Sequence, residues 1–329
     1  MWIFYGCIIL SFLLGLVGTW GFLLFARKTG LFMDGPARRK LHNGKIPRGA
    51  GVVFYIPFLI WALLDTNGYR WLLIPGTMLL ALGVVDDLWG MKAWIKLVAQ
   101  VLIAGITWLL GFKITSLALG AFTVPLSEPA GFIFTVFFIM GMMNAFNFVD
   151  GLDGLAASLA IAAFVSVAYL GQVAGHPIIW YGALMMSAVV AGFLFLNSPP
   201  AKVFMGDMGS HFIGYILALM EIKTLGTDSG FLVIPAILLA VFPIMDTFFA
   251  IIRRLRRRAP VFGADRNHLH HKVFAATRSV RSAVFILLGA SVITCILGVV
   301  TACWPWLSLP VGSAVFIAIM AWGIYARAV

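Results

Sequence analysis

AGFIFTVFFIMGMMNAFNFVDGLDG, residues 130–154, decides how this chain is built. Residues 130–147 carry no charge. Crossing hydrocarbon takes about 20 mostly apolar residues in a helix, because only a helix satisfies its own backbone there. The stretch then turns polar. Asn144, Asn147 and Asp150 recur every three residues, which stacks them on one face if the helix continues. Gly151 and Gly154 free the backbone around Asp153. Amides and carboxylates in an apolar span are expensive unless they face a polar site; the plainer reading is a polar turn with Asp caps. Either way, the segment is a membrane span with a polar end.

The same pattern repeats outward along the chain. Of 329 residues, 62% are hydrophobic and 11% charged, with a mean hydropathy of +1.03. A soluble domain of this length could not bury so much apolar surface, whereas lipid can solvate it. Eleven apolar runs stand out, at about 2–26, 50–66, 70–86, 93–112, 130–147, 154–172, 177–196, 209–224, 229–252, 282–303 and 307–326. The expected fold is an all-α integral membrane protein of about 10–11 transmembrane helices, a single polytopic domain over 1–329. Arg27 and Lys28 follow the first run, and no small-residue cleavage pattern does, so it reads as a retained span. Cys7, Cys295 and Cys303 lie in or beside spans without metal-type pairing and read as packing residues.

Loop charge orients the chain. With the N-terminus outside, the inner segments and adjoining span ends hold 20 of the 23 Lys and Arg, leaving Arg70, Lys113 and Lys223 for the other side. That asymmetry places the C-terminus in the cytoplasm. It also accounts for the net charge of +11 without a nucleic-acid partner. The basic inner face would attract anionic membrane lipids and anionic substrates.

Acids gather on the same face. Asp34, Asp86, Asp87, Asp150, Asp153, Asp207, Asp246 and Asp265 all fall on or near it, and they are eight of the twelve Asp and Glu. The loops that carry chemistry are about 27–49, 86–96, 147–154, 197–210 and 253–281. Asp86 and Asp87 end the third run; neighbours on a helix point about 100° apart, so the pair cannot share one ligand face. Lys96 follows on the next run, where it could hold a phosphate. Asp207 lies between Gly206 and Gly209 just before a span, where it or Ser210 could cap the helix or the glycines could admit a pyrophosphate. Phe204 reads from composition as core. Asp246 sits inside the ninth run, and a carboxylate there is a functional suspect. His268, His270 and His271 suggest zinc, but no cysteine or second ligand pair at zinc spacing is near. Phosphate binding, with Arg266 supplying a planar fork, fits better. The first loop adds Lys40 and His42 in a basic, turn-rich setting.

DGPARRKLH (34–42), LGVVDD with WIKLVAQ (82–100), NAFNFVDGLDGLA (144–156), FMGDMGS (204–210), PIMDT (243–247) and FGADRNHLHH (262–271) occur in that order. Together they resemble the polyprenyl-phosphate N-acetylhexosamine-1-phosphate transferase family (MraY/WecA type, glycosyltransferase 4), across residues 34–271. The resemblance implies transfer of a sugar-1-phosphate from a UDP-sugar to undecaprenyl or another polyprenyl phosphate, with Mg²⁺ (or Mn²⁺) as cofactor and release of UMP. Such a protein would be a multi-pass protein of the bacterial inner membrane, its active site facing the cytoplasm. Leu269 interrupts the three consecutive histidines of the peptidoglycan-precursor branch, so the chain is closer to the WecA-like branch. UDP-GlcNAc is then the expected donor, in the first membrane step of a cell-surface polysaccharide such as O-antigen. RGAG at 48–51 replaces paired glycines, and Met208 stands where a smaller residue is usual.

By the same resemblance, Asp207 would bind the metal with Asp86 and Asp87 beside it, and His268, His270 and His271 would complete the catalytic set. Lys40, His42, Lys96, Asn144, Asn147, Asp150, Asp153, Phe204 and Arg266 would bind substrate, Phe204 by stacking on uracil. A lipid phosphate is already mostly dianionic at neutral pH, since its second pKa is about 6; the Asp pair would therefore position it more than deprotonate it. Direct attack is preferred over a covalent Asp-phosphate. The alternatives are the peptidoglycan-precursor transferase and, from another class, a secondary transporter, against which the interfacial acids and absent repeat argue. A homodimer is left open.

Overall fold

The computed structural model describes residues 2–34, 46–65, 68–256 and 268–325, and a helix occupies each of the eleven apolar runs. α1 (Trp2–Leu13) passes through one π-helical turn into α2 (Thr19–Thr29). Then come α3 (Tyr55–Leu64), α4 (Leu73–Trp89), α5 (Ala93–Leu109), α6 (Glu128–Val149), α7 (Leu155–Val173), α8 (Pro177–Asn197) and α9 (Gly206–Leu225). α10 (Val233–Leu239), α11 (Val241–Arg256), α12 (Leu269–Thr277), α13 (Val280–Cys303) and α14 (Ser308–Tyr325) complete the bundle.

Among the described residues, seven helices are long and apolar enough to cross a membrane, or eight if α10 and α11 form one span bent by 91°. The apolar helices Ala50–Leu64 and Ala93–Leu109 are shorter, and α9 is the remaining one of the eleven. The chain is thus an all-α, multi-pass membrane protein.

Burial explains why α9 can be polar. All its residues except Lys223 are buried, and it packs against α4, α6 and α7. It has almost no lipid face, so Asp207, Ser210, His211 and Glu221 meet protein instead of hydrocarbon. The outermost helix, α14, is the reverse, with 17% of its apolar window buried.

The run at 229–252 is not one straight span. Gly230–Leu232 is a strand, and Ala240 leaves the helical region at φ −128° between α10 and α11. Pro243 falls in the first turn of α11, where its missing N–H is harmless. The Leu239 carbonyl beside the break accepts from Cys295 Sγ at 3.4 Å.

Two small sheets close the ends. β1 (Met33–Asp34) pairs antiparallel with β2 (Ile46–Pro47). A four-stranded sheet, ordered β4 (Phe122–Pro125), β3 (Ser116–Leu119), β6 (Gly230–Leu232), β5 (Gly226–Thr227), joins the α5–α6 and α9–α10 connections. α5 runs from Lys96 towards this sheet, and α9 runs towards it from Asp207. The acids and the four-stranded sheet therefore lie at opposite ends of the bundle.

Candidate active site

Asp87, at the end of α4, has a fully buried side chain. Its Oδ1 accepts from the Asp207 amide at 2.9 Å and its Oδ2 from the Met208 amide at 3.2 Å. These are amides of the first turn of α9, so a carboxylate from another helix does what an N-cap does. Asp207 and Ser210, the capping residues suggested by the sequence, do not do it. Gly206 makes this approach feasible: its φ is +74°, and a Cβ there would collide with the Asp87 carboxylate.

Asp86 points elsewhere, as the 100° step between helical neighbours requires. Lys96 Nζ bridges Asp86 Oδ2 at 2.6 Å and Asp207 Oδ2 at 2.8 Å. Arg48 Nε pairs with Asp87 Oδ1 at 3.0 Å, while its Nη2 donates to Asp207 Oδ1. Three carboxylates thus face two cations. Beside them lies a cleft walled by Leu79 and Leu82 and floored by Asp86, Lys96, Gln100, Asp207 and His211. His211 Nδ1 is 2.7 Å from the Asp207 carbonyl, which holds the ring one turn along α9.

Backbone packing fixes Arg48 in place. Gly49 and Ala50 both donate to the Phe204 carbonyl, at 3.0 and 3.1 Å, and Gly51 donates to that of Met205 at 2.9 Å. Gly49 adopts φ +113°, and a Cβ on Gly51 would collide with Gly209. The RGAG sequence thus still places glycine at both exacting positions. Met208 turns away from the carboxylates and packs its 1%-exposed side chain against Gly83 and the Gly49 turn.

The polar end of α6 supports the scaffold. Asn144 donates to Gln100 Oε1 at 2.7 Å and to the Met140 carbonyl, while Asn147 donates to Ser210 Oγ at 2.9 Å. The helix stops at Val149, and Asp150 at ψ +47° leaves it, so the row of three does not continue. Burial pushes the Asp150 carboxyl up to about 7; Arg48 opposes this, and Asp207, Asp87 and Asp153 add to it. Asp153 accepts from the Ala201 amide at 2.9 Å, tying its loop to the chain before α9. Phe204 is half-buried.

The histidines form a second cluster. His268 and His270 are buried, each turning Nδ1 onto Asp246 Oδ2, at 3.2 and 2.8 Å. His271 is half-buried, its ring 4.3 Å from that of His270. Lys40, His42 and Arg266 lie outside the described residues. Arg48, Gln100 and His211 join the site without being among the candidates the sequence marks. His211 had a signal, its i+4 spacing from Asp207; Arg48 had none beyond its place before a glycine.

A family model described as Glycosyl transferase family 4 matches residues 69–225, which include Asp86, Asp87, Lys96 and Asp207. The chain is 33% identical over 290 residues to a probable undecaprenyl-phosphate N-acetylglucosaminyl 1-phosphate transferase of Bacillus subtilis, covering 84% of this chain and 79% of that protein. It is 30% identical to a decaprenyl-phosphate N-acetylglucosaminephosphotransferase of Mycobacterium leprae, over 77% of this chain and 72% of that one. An undecaprenyl-phosphate alpha-N-acetylglucosaminyl 1-phosphate transferase of Yersinia pestis is likewise 30% identical, with 85% and 80% covered. With its described motifs gathered at one end of a membrane bundle, the chain belongs to glycosyl transferase family 4.

Proposed function

We propose that this protein transfers N-acetylglucosamine-1-phosphate from UDP-GlcNAc to a polyprenyl phosphate, undecaprenyl phosphate in a bacterial inner membrane, and releases UMP. The observation that carries the reading is the Asp86–Lys96–Asp207–Arg48 cluster beside a cleft with an apolar wall. One such site can meet both a charged diphosphate and a lipid. The names of the relatives favour the same donor and acceptor classes.

The excess of Lys and Arg in the loops at this end favours a cytoplasmic site, with the four-stranded sheet on the outer side. A soluble nucleotide sugar would enter from the cytoplasm, and the lipid phosphate would arrive at the same interface. Attack by a lipid phosphate oxygen on the β-phosphorus forms the new P–O bond. The bond from that phosphorus to the bridging oxygen breaks, and its electron pair leaves with UMP.

Mg²⁺ fits the donor set, because hard carboxylate oxygens of Asp86 and Asp207 already converge on one cation, the Lys96 ammonium. Those two residues would hold it; the metal would neutralise charge building on the phosphates. Asp87 is given a different task, since both its oxygens are occupied by amides of α9: it positions Asp207. Lys96 and Arg48 would offer their charge to phosphate oxygens once substrate competes for them. Asp150 and His271 would border the nucleotide and diphosphate.

Position-specific labelling tests the bond cleaved. UDP-GlcNAc carrying ³²P at the β-phosphate should send label into the lipid fraction, and an α-phosphate label should stay with UMP. An α-label in the lipid would overturn the proposal.

A further inference from the structure

Among the described residues, Asp246 is the buried acid of this end of the bundle that the transfer step described above leaves unused. Its side chain is nearly sealed from solvent, yet both oxygens are engaged. Oδ1 accepts from the Leu269 amide at 2.6 Å, at the first residue of α12. Oδ2 lies 2.8 Å from His270 Nδ1 and 3.2 Å from His268 Nδ1. The two imidazoles run nearly parallel, 16° apart, with centroids separated by 5.4 Å.

A neutral imidazole that donates from Nδ1 keeps its lone pair on Nε2. In His270 that nitrogen is buried and has no hydrogen-bond partner among the described residues. It lies against Gly151, where a Cβ would collide with it. Gly151 has no left-handed backbone requirement, so the ring alone excludes a side chain there. The carboxylate thus fixes one edge of the ring and Gly151 receives the other, linking α11, the start of α12 and the 150–154 loop.

Asp246, His268 and His270 also form a donor set within 4.8 Å, of the kind a transition metal would take. At His270 hydrogen bonding accounts for the geometry better, whereas His268 Nδ1, 3.2 Å from the same oxygen, makes no hydrogen bond among the described residues. A separation of 2.8 Å is a hydrogen-bond length, whereas ligands about 2.0–2.1 Å from one tetrahedral ion stand roughly 3.3 Å apart. The second oxygen is committed to a backbone amide, not turned towards an ion.

We infer that Asp246 is a positioning residue for the transfer: it fixes His270 as the Nδ1–H tautomer and clamps the start of α12, so that the histidine row and the 150–154 loop keep one arrangement at the site. The effect on turnover rests on the transferase reading; the clamp itself does not.

The test uses the full-length protein in detergent, labelled with ¹⁵N-histidine, and the Asp246→Asn variant. Asn conserves shape, but one oxygen becomes an NH₂ that cannot accept from the Leu269 amide or from a ring N–H. The expected result is loss of the Nδ1–H ¹⁵N signature at His270, with kcat down about 100-fold. KM for UDP-GlcNAc and for the lipid should stay within about threefold, and the melting temperature within a few degrees. Gly151→Ala pushes the ring from the other side without altering the carboxylate. It should disturb the same signature and serves as the test if Asp246→Asn fails to fold. An unchanged ¹⁵N pattern in both variants would overturn the inference, as would a rate loss fully matched by loss of folded protein. Stoichiometric zinc in the wild type, lost in Asp246→Asn, would replace the clamp with a metal site. If the wild type shows no turnover, the transferase reading fails, and the ¹⁵N comparison still decides the clamp.

Discussion

Asp87 and its neighbour divide the labour that two adjacent carboxylates suggest in the sequence. Asp87 is spent on the first amides of α9 and on Arg48, so Asp87→Asn should act first on architecture. The variant keeps one acceptor, and the loss of a cap contact points to about 1–2 kcal/mol of stability. Thermal unfolding in detergent checks this, and an unchanged midpoint would contradict it. Asp86 faces Lys96 instead, and Asp86→Asn should leave the unfolding midpoint closer to wild type while lowering turnover. Asp150 gives a pH prediction. Its carboxyl is raised from the ordinary carboxylate range to about 7, so the fold disfavours its ionised form. That penalty is absent below the ordinary value of about 3.9, grows as pH rises towards 7, and is constant above. Asp150→Asn should therefore gain stability over wild type between about pH 4 and 7, and keep that gain at higher pH. A gap that does not change from pH 4.5 to 8 would contradict the assignment. The sequence showed that these carboxylates share one end of the molecule. It did not show which oxygen meets which amide, because that depends on how far α9 approaches α4.

That approach is set by elements. Gly51 meets Gly209 so closely that neither position has room for a Cβ, and the same contact seats Arg48 over Asp207. Gly51→Ala should overpack the contact and cost about 1–3 kcal/mol. It should also lower activity more than its stability loss explains, because Arg48 moves with the backbone. Wild-type turnover at equal folded protein would argue against that coupling. Helices were legible as apolar runs, since lipid demands uninterrupted hydrophobicity of every exposed span. Two features were not legible. The 91° break between α10 and α11 lies at residues 239–241, where every residue is apolar, and apolar side chains suit bent and straight helices alike. The four-stranded sheet joins segments about a hundred residues apart, and each strand is too short to show an alternation of its own. By hydropathy α9 reads as an ordinary span, although its Asp, Ser, His and Glu fit only a helix that protein surrounds on all sides.

Across the whole molecule, the bundle has one end of carboxylates, histidines and basic groups, and an opposite end closed by strands. On the proposed orientation, which the loop charges favour, the first end faces the cytoplasm. Single cysteines in a cysteine-free background test this: Trp89→Cys, at a site 75% exposed, should react with an impermeant thiol reagent only from the cytoplasmic face. Phe122→Cys, at a site 67% exposed, should react only from outside. Labelling from the reverse faces would invert the topology and put the site out of reach of cytoplasmic nucleotide sugars. The family was readable from motifs alone, because their residues and their order along the chain are both preserved. The support around them was not, because Arg48, Gln100 and His211 matter through contacts that only the packed bundle creates. The central claim is the transfer itself, and its most direct test is UMP release by purified protein with Mg²⁺ and UDP-GlcNAc, with and without undecaprenyl phosphate. UMP should appear only with the lipid and be abolished by EDTA and by Asp207→Ala. Folded protein that releases no UMP from UDP-GlcNAc with the lipid present, or an Asp207→Ala variant as active as wild type, would contradict it.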